Sequence, residues 1–251
     1  MRKRPIRTRA MNETSLAVPA GETTSAPLRF GDPLYRACDH CGRAIGIVPL
    51  LSGNALGGTL WSDGYMEAPQ LPEQPLLGRC RGCGEIVCLV ELAPLPPPDA
   101  ADEGEDYTFL PLTLDDFGWL LANLDGVSEN FRPYLRIKFW QLSNDRRRLG
   151  AAEVPLSEHE RENLLSLLEL LGTEEPDRLM KADICRQLED FDRAEELLAA
   201  PFDERISPVV ERMQRLVQQR NHRLVKILSG EAPRSSSAAK LGSTIVQIVS
   251  Y

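Results

Sequence analysis

Two short stretches of this sequence mirror each other, CDHCG at residues 38–42 and CRGCG at residues 80–84. Each places two cysteines three positions apart and follows them with glycine. Such a turn aims both sulfurs at one point, and the glycine lets the chain take a positive φ just past the second cysteine. Four thiolates arranged in this way suit a tetrahedral zinc ion. The spacing nominates Cys38, Cys41, Cys80 and Cys83 as the ligands of a closed, structural Zn2+ site. The 38 residues between Cys41 and Cys80 exceed the usual gap of roughly 15–20. An inserted β-hairpin accounts for the excess. Two other assignments stay open, reactive redox pairs and inert core cysteines. A thioredoxin-like CxxC opens a helix within a βαβ pattern, whereas CRGCG runs into the strand-like EIVCLVEL. With four protein thiolates on the metal no position is left for water, which argues against metal catalysis.

The remaining cysteines and histidines offer little chemistry. Alternation along residues 85–92 places Cys88 inward with Ile86 and Val90 as a small buried hydrophobe, and Cys185 falls on the apolar face of a helix. His40 lies between the ligands of the first knuckle and is expected to be exposed. The three histidines are spread too far apart to suggest a nucleophile–base pair. The chain therefore reads as a non-enzyme.

A length of 251 residues allows one to two domains. No apolar run reaches the ~18 residues needed to span a bilayer. The basic start MRKRPIRTRA has no apolar segment behind it, unlike a secretory signal. Met11 is an alternative start that would leave this arm out. A cytoplasmic location is the expectation. The net charge of −8 is segregated: residues 151–204 hold sixteen acidic and five basic groups, residues 205–251 two acidic and eight basic. An acidic chain disfavours a dedicated nucleic-acid binder, because phosphate neutralisation supplies most non-specific affinity. It leaves room for a local basic site.

Composition divides the chain into five parts. Residues 1–31 read as a disordered basic arm, rich in Thr, Ser, Pro and Arg. Residues 32–93 hold both knuckles and most of the β-like pattern, with strands expected at 45–52, 56–66 and 85–92. Residues 94–108 are a proline-rich, acidic linker. Residues 109–230 are helical. Thr113 is a cap with Gly126 as terminator, and Ser157 forms a capping box with Glu160. Ser207 caps a helix whose first turn carries Pro208. NHRLVKIL at 221–228 is expected to add a last short helix. Residues 231–251 form a flexible tail whose STIVQIVSY ending is β-prone.

Two stretches invite a binding role. In WSDGYMEAPQLP (61–72), Asp63-Gly64 is a turn pair. Trp61, Asp63 and Tyr65 are then either an exposed aromatic and acidic contact site or a hairpin covering a small metal core. Arg132, Arg136 and Lys138, followed by Arg146, Arg147 and Arg148, are candidates for gripping phosphate or an acidic peptide, with Arg132 and Arg136 on one helical face.

DRLMKADICRQLEDFDRAEELLAA at 177–200 resembles one tetratricopeptide unit. Ala182 and Ala194 match the small residues where the two helices cross, and Leu198 follows on the packing face. Glu189-Asp190-Phe191 match the turn, with Glu in place of the usual Gly, and Cys185 stands where an aromatic is common. Pro201 shortens the second helix. With CDHCG, IVPLLSG, WSDGYMEAPQLPE and RCRGCG added, the central chain resembles a group of functionally uncharacterised bacterial proteins that join an N-terminal zinc ribbon to a short tetratricopeptide-like helical region. That resemblance implies a zinc site and a fold, and carries no activity.

The expectation is thus an α+β chain, a small β-rich zinc ribbon followed by an all-α helical-hairpin (tetratricopeptide-like) region. Its function is expected to be protein–protein interaction, with a protein partner. One alternative is nucleic-acid binding through the ribbon with Arg43, Arg79 and Arg81. The other is thiol redox or metal handling.

Overall fold

A computed structural model of the chain describes residues 27–98, 106–125, 127–150 and 154–229. The expectations for the basic arm up to residue 26, for Gly126 and for the STIVQIVSY ending fall outside these residues.

The strands in chain order are β1 (Arg29–Phe30), β2 (Leu34–Ala37), β3 (Ala44–Ile47), β4 (Leu50–Ser52), β5 (Thr59–Trp61), β6 (Met66–Glu67), β7 (Leu77–Arg79), β8 (Ile86–Cys88), β9 (Ala93–Leu95) and β10 (Lys226–Ser229). The helices are α1 (Leu114–Ala122), α2 (Arg132–Ser143), α3 (Asp145–Arg148), α4 (Glu158–Leu170), α5 (Glu175–Gln187), α6 (Phe191–Ala199) and α7 (Ser207–Gln218). The mixed α+β class follows, with small antiparallel sheets first and the helices after them.

Two compact units emerge, and their boundary is not the one the composition suggests. Among the described residues, one gathers 27–54 with 70–113 and the other gathers 55–69 with 114–229. The first holds sheets β3-β2-β9, β7-β8 and β1-β4, all antiparallel. It reaches into the expected arm, where Arg29–Phe30 pair with β4, into the expected linker, where Tyr107 packs edge-on to Tyr35, and into the start of the expected helical part, where Arg79 bridges to Leu110. Its core is small: Ile45, Val87, Leu89 and Leu92 around Cys38 and Cys80.

Two strand expectations need correction. The segment 45–52 breaks at Val48-Pro49 into β3 and β4, because proline cannot donate to a ladder. The segment 85–92 stops at Cys88, where the Glu91 N–H closes a turn on the Cys88 carbonyl. Its phase is also inverted: Val87 and Leu89 are buried, while Val90 is 60% exposed. Cys88 is therefore only half-buried.

In the second unit α1 packs on α2, α2 on α4, α5 on α6 and α6 on α7. The α4 capping box forms as expected, with the Glu160 N–H on the Ser157 hydroxyl and the Ser157 N–H on the Glu160 carboxylate. The α5–α6 hairpin turns at Glu189, whose φ is +68°. Ala182 and Ala194 are fully buried where the two helices meet, and Cys185 joins the same core. Pro208 sits in the first turn of α7, but Ser207 is itself helical, so the cap position falls to Ile206, which makes no side-chain cap bond.

The segment 221–228 is not a helix. Arg220, at φ +49°, ends α7, and the chain continues as β10 along β5. The Arg186 guanidinium donates to the carbonyls of Asn221 and Arg223, which holds them out of any helical ladder. β5 in turn pairs with β6, completing the sheet β10-β5-β6. The segments 45–52 and 56–66 therefore do not pair with each other as one hairpin between the knuckles: β3 pairs with β2 and β4 with β1, while β5 and β6 form their own hairpin in the helical unit, whose core includes Leu60.

Candidate metal centre

The two knuckles have nearly the same geometry. In the first, the Gly42 N–H donates to the Cys38 carbonyl at 2.8 Å and the Cys38 N–H to the Arg43 carbonyl at 2.8 Å. In the second, the Gly84 N–H donates to the Cys80 carbonyl at 2.9 Å and the Cys80 N–H to the Glu85 carbonyl at 2.9 Å. Gly42 and Gly84 both have φ of +76°, so the glycine after each cysteine pair is there for its backbone. β2 and β3 carry the first turn and β7 and β8 the second.

The turns bring together all four nominated cysteines. The Sγ atoms of Cys38, Cys41, Cys80 and Cys83 lie within 4.8 Å of one another. Cys38 Sγ is 3.8 Å from Cys83 Sγ, and Cys41 Sγ is 3.8 Å from Cys80 Sγ. A regular tetrahedron with metal–sulfur bonds of ~2.3 Å needs sulfurs about 3.8 Å apart. A disulfide needs ~2.05 Å, and all six cysteines are free thiols. The group is compatible with a four-coordinate metal ion. Among the described residues it is also the one cluster of potential ligands of this kind.

Its surroundings are uneven. Cys38 and Cys80 are buried; Cys41 and Cys83 face outward. Desolvation pushes the Cys38 thiol up to about 12. Cys80 is also desolvated, but the N–H groups of Cys83 and Gly82 outweigh that and bring its thiol down to about 7. The Gly82 N–H lies 3.3 Å from the Cys80 sulfur. His40 is exposed, 3.6 Å from Asp39, and is not among the clustered ligands. Cys185 is inert by burial, which lifts its thiol to about 11.

The other nominated residues lie elsewhere. Trp61 and Asp63 are buried in the helical unit and Tyr65 is half-buried, so the exposed contact site is not formed; nor does the hairpin belong to the cysteine unit's core. The turn at Asp63-Gly64 does form, with the Tyr65 N–H on the Asp63 carboxylate at 3.1 Å. Asp63 is 0% exposed; its carboxylate accepts from Asn144 at 2.9 Å and from Arg148. The Arg148 guanidinium lies 4.3 Å from the centre of the Tyr65 ring. Arg147 grips the Glu160 carboxylate with two bonds, 2.7 and 3.2 Å, and Arg146 adds a third at 2.8 Å. All three arginines of the triplet are thus engaged by carboxylates of the chain itself. Arg136 is half-buried and donates to Asn163 at 3.3 Å, and Arg132 is half-buried nearby on the same helix.

Sequence reasoning missed another buried ion pair. Asp183 and Arg186 on α5 are buried and paired at 2.6 Å. Arg186 also donates to the Ser62 hydroxyl at 3.1 Å, and Gln187 links Asp183 to the Trp140 indole. Burial pulls the Asp63 and Asp183 carboxyls upward, against Arg148 and Arg186 respectively. The i, i+3 spacing of Asp183 and Arg186 was visible; their burial was not.

Comparison with protein-family models, with curated proteins and with solved structures finds no match. The centre therefore has to be judged by its own geometry. No helix among the described residues is long and apolar enough to cross a membrane.

Proposed function

We propose that Cys38, Cys41, Cys80 and Cys83 hold a structural zinc ion, and that the chain is a non-enzymatic interaction module built on it. The carrying observation is the four-sulfur cluster, with 3.8 Å separations between partners from opposite knuckles. Zinc supplies here what a core of six buried residues does not, a fixed point tying two sheets together. Four thiolates leave it no open coordination position, so it does no chemistry on a substrate. Reduced thiols of this kind fit the cytoplasm.

The helical region is the partner-binding half of this proposal. Its hairpin of α5 and α6, with Ala182 and Ala194 at the crossing, supports a tetratricopeptide-like character. An open cleft of about 1530 Å³, counting its mouth, lies over Gly118, Phe139 and Leu142 between α1 and α4. Trp119 on α1 is 54% exposed. Such a cleft suits a peptide or helix from a partner protein. The nucleic-acid alternative is weaker, because the ribbon's arginines are engaged: Arg81 pairs with Asp106 at 3.2 Å, Arg43 donates to the Asp106 carbonyl and Arg79 to the Gly84 carbonyl.

Elemental analysis of the purified chain is expected to give one zinc per molecule. Thiol titration is expected to show the four ligand cysteines unreactive until a chelator is added. Four thiols that react freely beforehand would favour the redox alternative. Binding to RNA or DNA that falls steeply with added salt would favour the nucleic-acid one.

A further inference from the structure

Two arginines of α2 lack a partner charge among the described residues. Arg132 and Arg136 stand one turn apart on one face of the helix, both half-buried. The Nε–H of each is buried and meets no acceptor among the described residues. Arg136 spends one Nη–H on the Asn163 side chain at 3.3 Å, and no described carboxylate lies within ion-pair distance of either guanidinium. Desolvation, and after it the charge of Arg132, pull the Arg136 guanidinium below its ordinary value, with Glu169 acting the other way. The contrast with Arg146, Arg147 and Arg148 is sharp, since each of those holds a carboxylate of the chain. Half-buried like charges with unmet donors work against folding, and side chains kept in such a state are expected where the chain binds something.

Arg136 also lines the cleft between α1 and α4, beside the apolar side chains of Leu121, Phe139 and Leu142. Gly118 keeps that cleft open: a Cβ placed there would lie 3.6 Å from the Phe139 ring, and a longer side chain would fill the space. Of the acids along the cleft, Glu160 is already held by Arg146 and Arg147, while Asp115 and Glu162 pair with neither Arg132 nor Arg136. The cleft therefore offers an apolar floor, two unneutralised cations and acids elsewhere along its walls. A single carboxylate next to an apolar side chain complements this pattern. A polyanion such as RNA does not, because its further phosphates would meet Asp115 and Glu162.

We infer that the cleft takes a partner segment in which a Glu or Asp carboxylate, held by Arg132 and Arg136, neighbours a large apolar side chain seated on Phe139 and Leu142. The inference rests on the cleft being the partner-binding face and adds the chemistry of its occupant. A guanidinium gives a carboxylate two parallel bonds. The same carboxylate would separate two like charges and supply acceptors to donors that now have none. The metal plays no part, since it lies in the other unit.

The probe is a library of random short peptides displayed on phage and selected on the full chain. Selected peptides are then synthesised and titrated against variants by fluorescence anisotropy. Gly118→Leu fills the cleft and leaves its charges alone, whereas Arg132→Gln and Arg136→Gln remove the charges and leave it open. Peptides joining Glu or Asp to a large apolar residue are expected, and each substitution is expected to weaken them roughly tenfold or more. The same peptide with its acid replaced by the amide should bind more weakly and be indifferent to both arginine changes. With no peptide present, Arg136→Gln should leave the melting temperature unchanged or raise it, because no internal ion pair is lost. Peptides weakened by Gly118→Leu but by neither arginine change would overturn the inference and leave the cleft as a docking site. Peptides indifferent to Gly118→Leu, or none selected at all, would overturn both. A melting temperature lowered by several degrees in Arg136→Gln would overturn the inference by assigning the arginine to the fold. So would a short single-stranded RNA that displaces the peptides and binds more tightly, by assigning the pair to nucleic acid.

Discussion

The two units solve the same problem with opposite means. The helical unit buries a core cluster of twenty residues, from Leu60 to Ile227. The cysteine unit's cluster holds six, two of which are Cys38 and Cys80 of the proposed metal site. The large unit can tolerate buried charge because its core carries the cost: Asp63–Arg148 and Asp183–Arg186 are both nearly free of solvent. The small unit has no such reserve and concentrates its buried polar atoms on one group of sulfurs. A unit that depends on one central group should fail all at once when it is lost. A unit that depends on many contacts should weaken by degrees.

The largest expected effect comes from removing a ligand. Cys80→Ser should abolish tight metal binding and unfold the cysteine unit, given that structural zinc contributes on the order of 10 kcal/mol to domains of this kind. Metal retained at wild-type affinity, measured by chelator competition, would break the contrast. Next comes Arg186→Met, which leaves Asp183 buried without its partner. The cost should be about 3–5 kcal/mol, read by denaturant melting of the helical signal, with zinc content unchanged. Restoring neutrality with Asp183→Leu in the same chain should recover much of it.

Acid should separate the units further. The Glu160 carboxyl is desolvated, but the Arg147 guanidinium and the Ser157 N–H and hydroxyl outweigh this and hold it below the ordinary value of 4.5. A depressed folded pKa means this contact's contribution is fully present above pH 4.5 and is lost as pH falls through the folded value. Glu160→Gln should flatten this part of the helical unit's pH profile. The cysteine unit should lose its metal as its thiolates protonate, so added zinc should restore it alone. The smallest effect is local. Gly42→Ala and Gly84→Ala meet open space at +76°, so each should cost only the backbone strain, roughly 1–2 kcal/mol. Near-equal losses in zinc affinity would show that the knuckles are equivalent; a large inequality would show that they are not.

What was legible in the sequence was what repeats or caps locally. The cysteine pairs, the Ser157–Glu160 box and the Glu189 turn all formed because their determinants lie within a few residues. What failed was set by distant partners. Residues 221–228 became β10 because β5 and Arg186 claimed them. Trp61 and Asp63 read as an exposed contact or as the cover of the metal core, because nothing nearby announces Asn144 and Arg148. The inward face of β8 was misjudged because a turn at Cys88 cut the strand short, leaving too few residues to fix its phase.

The central claim is that zinc holds the cysteine unit together while the helical unit stands on its own core. Hydrogen exchange before and after a strong chelator reads both at once. Amides of β2, β3, β7 and β8 should lose protection on chelation and regain it with added zinc, while those of α4, α5 and α7 stay protected throughout. Unchanged protection in the four strands would contradict the account.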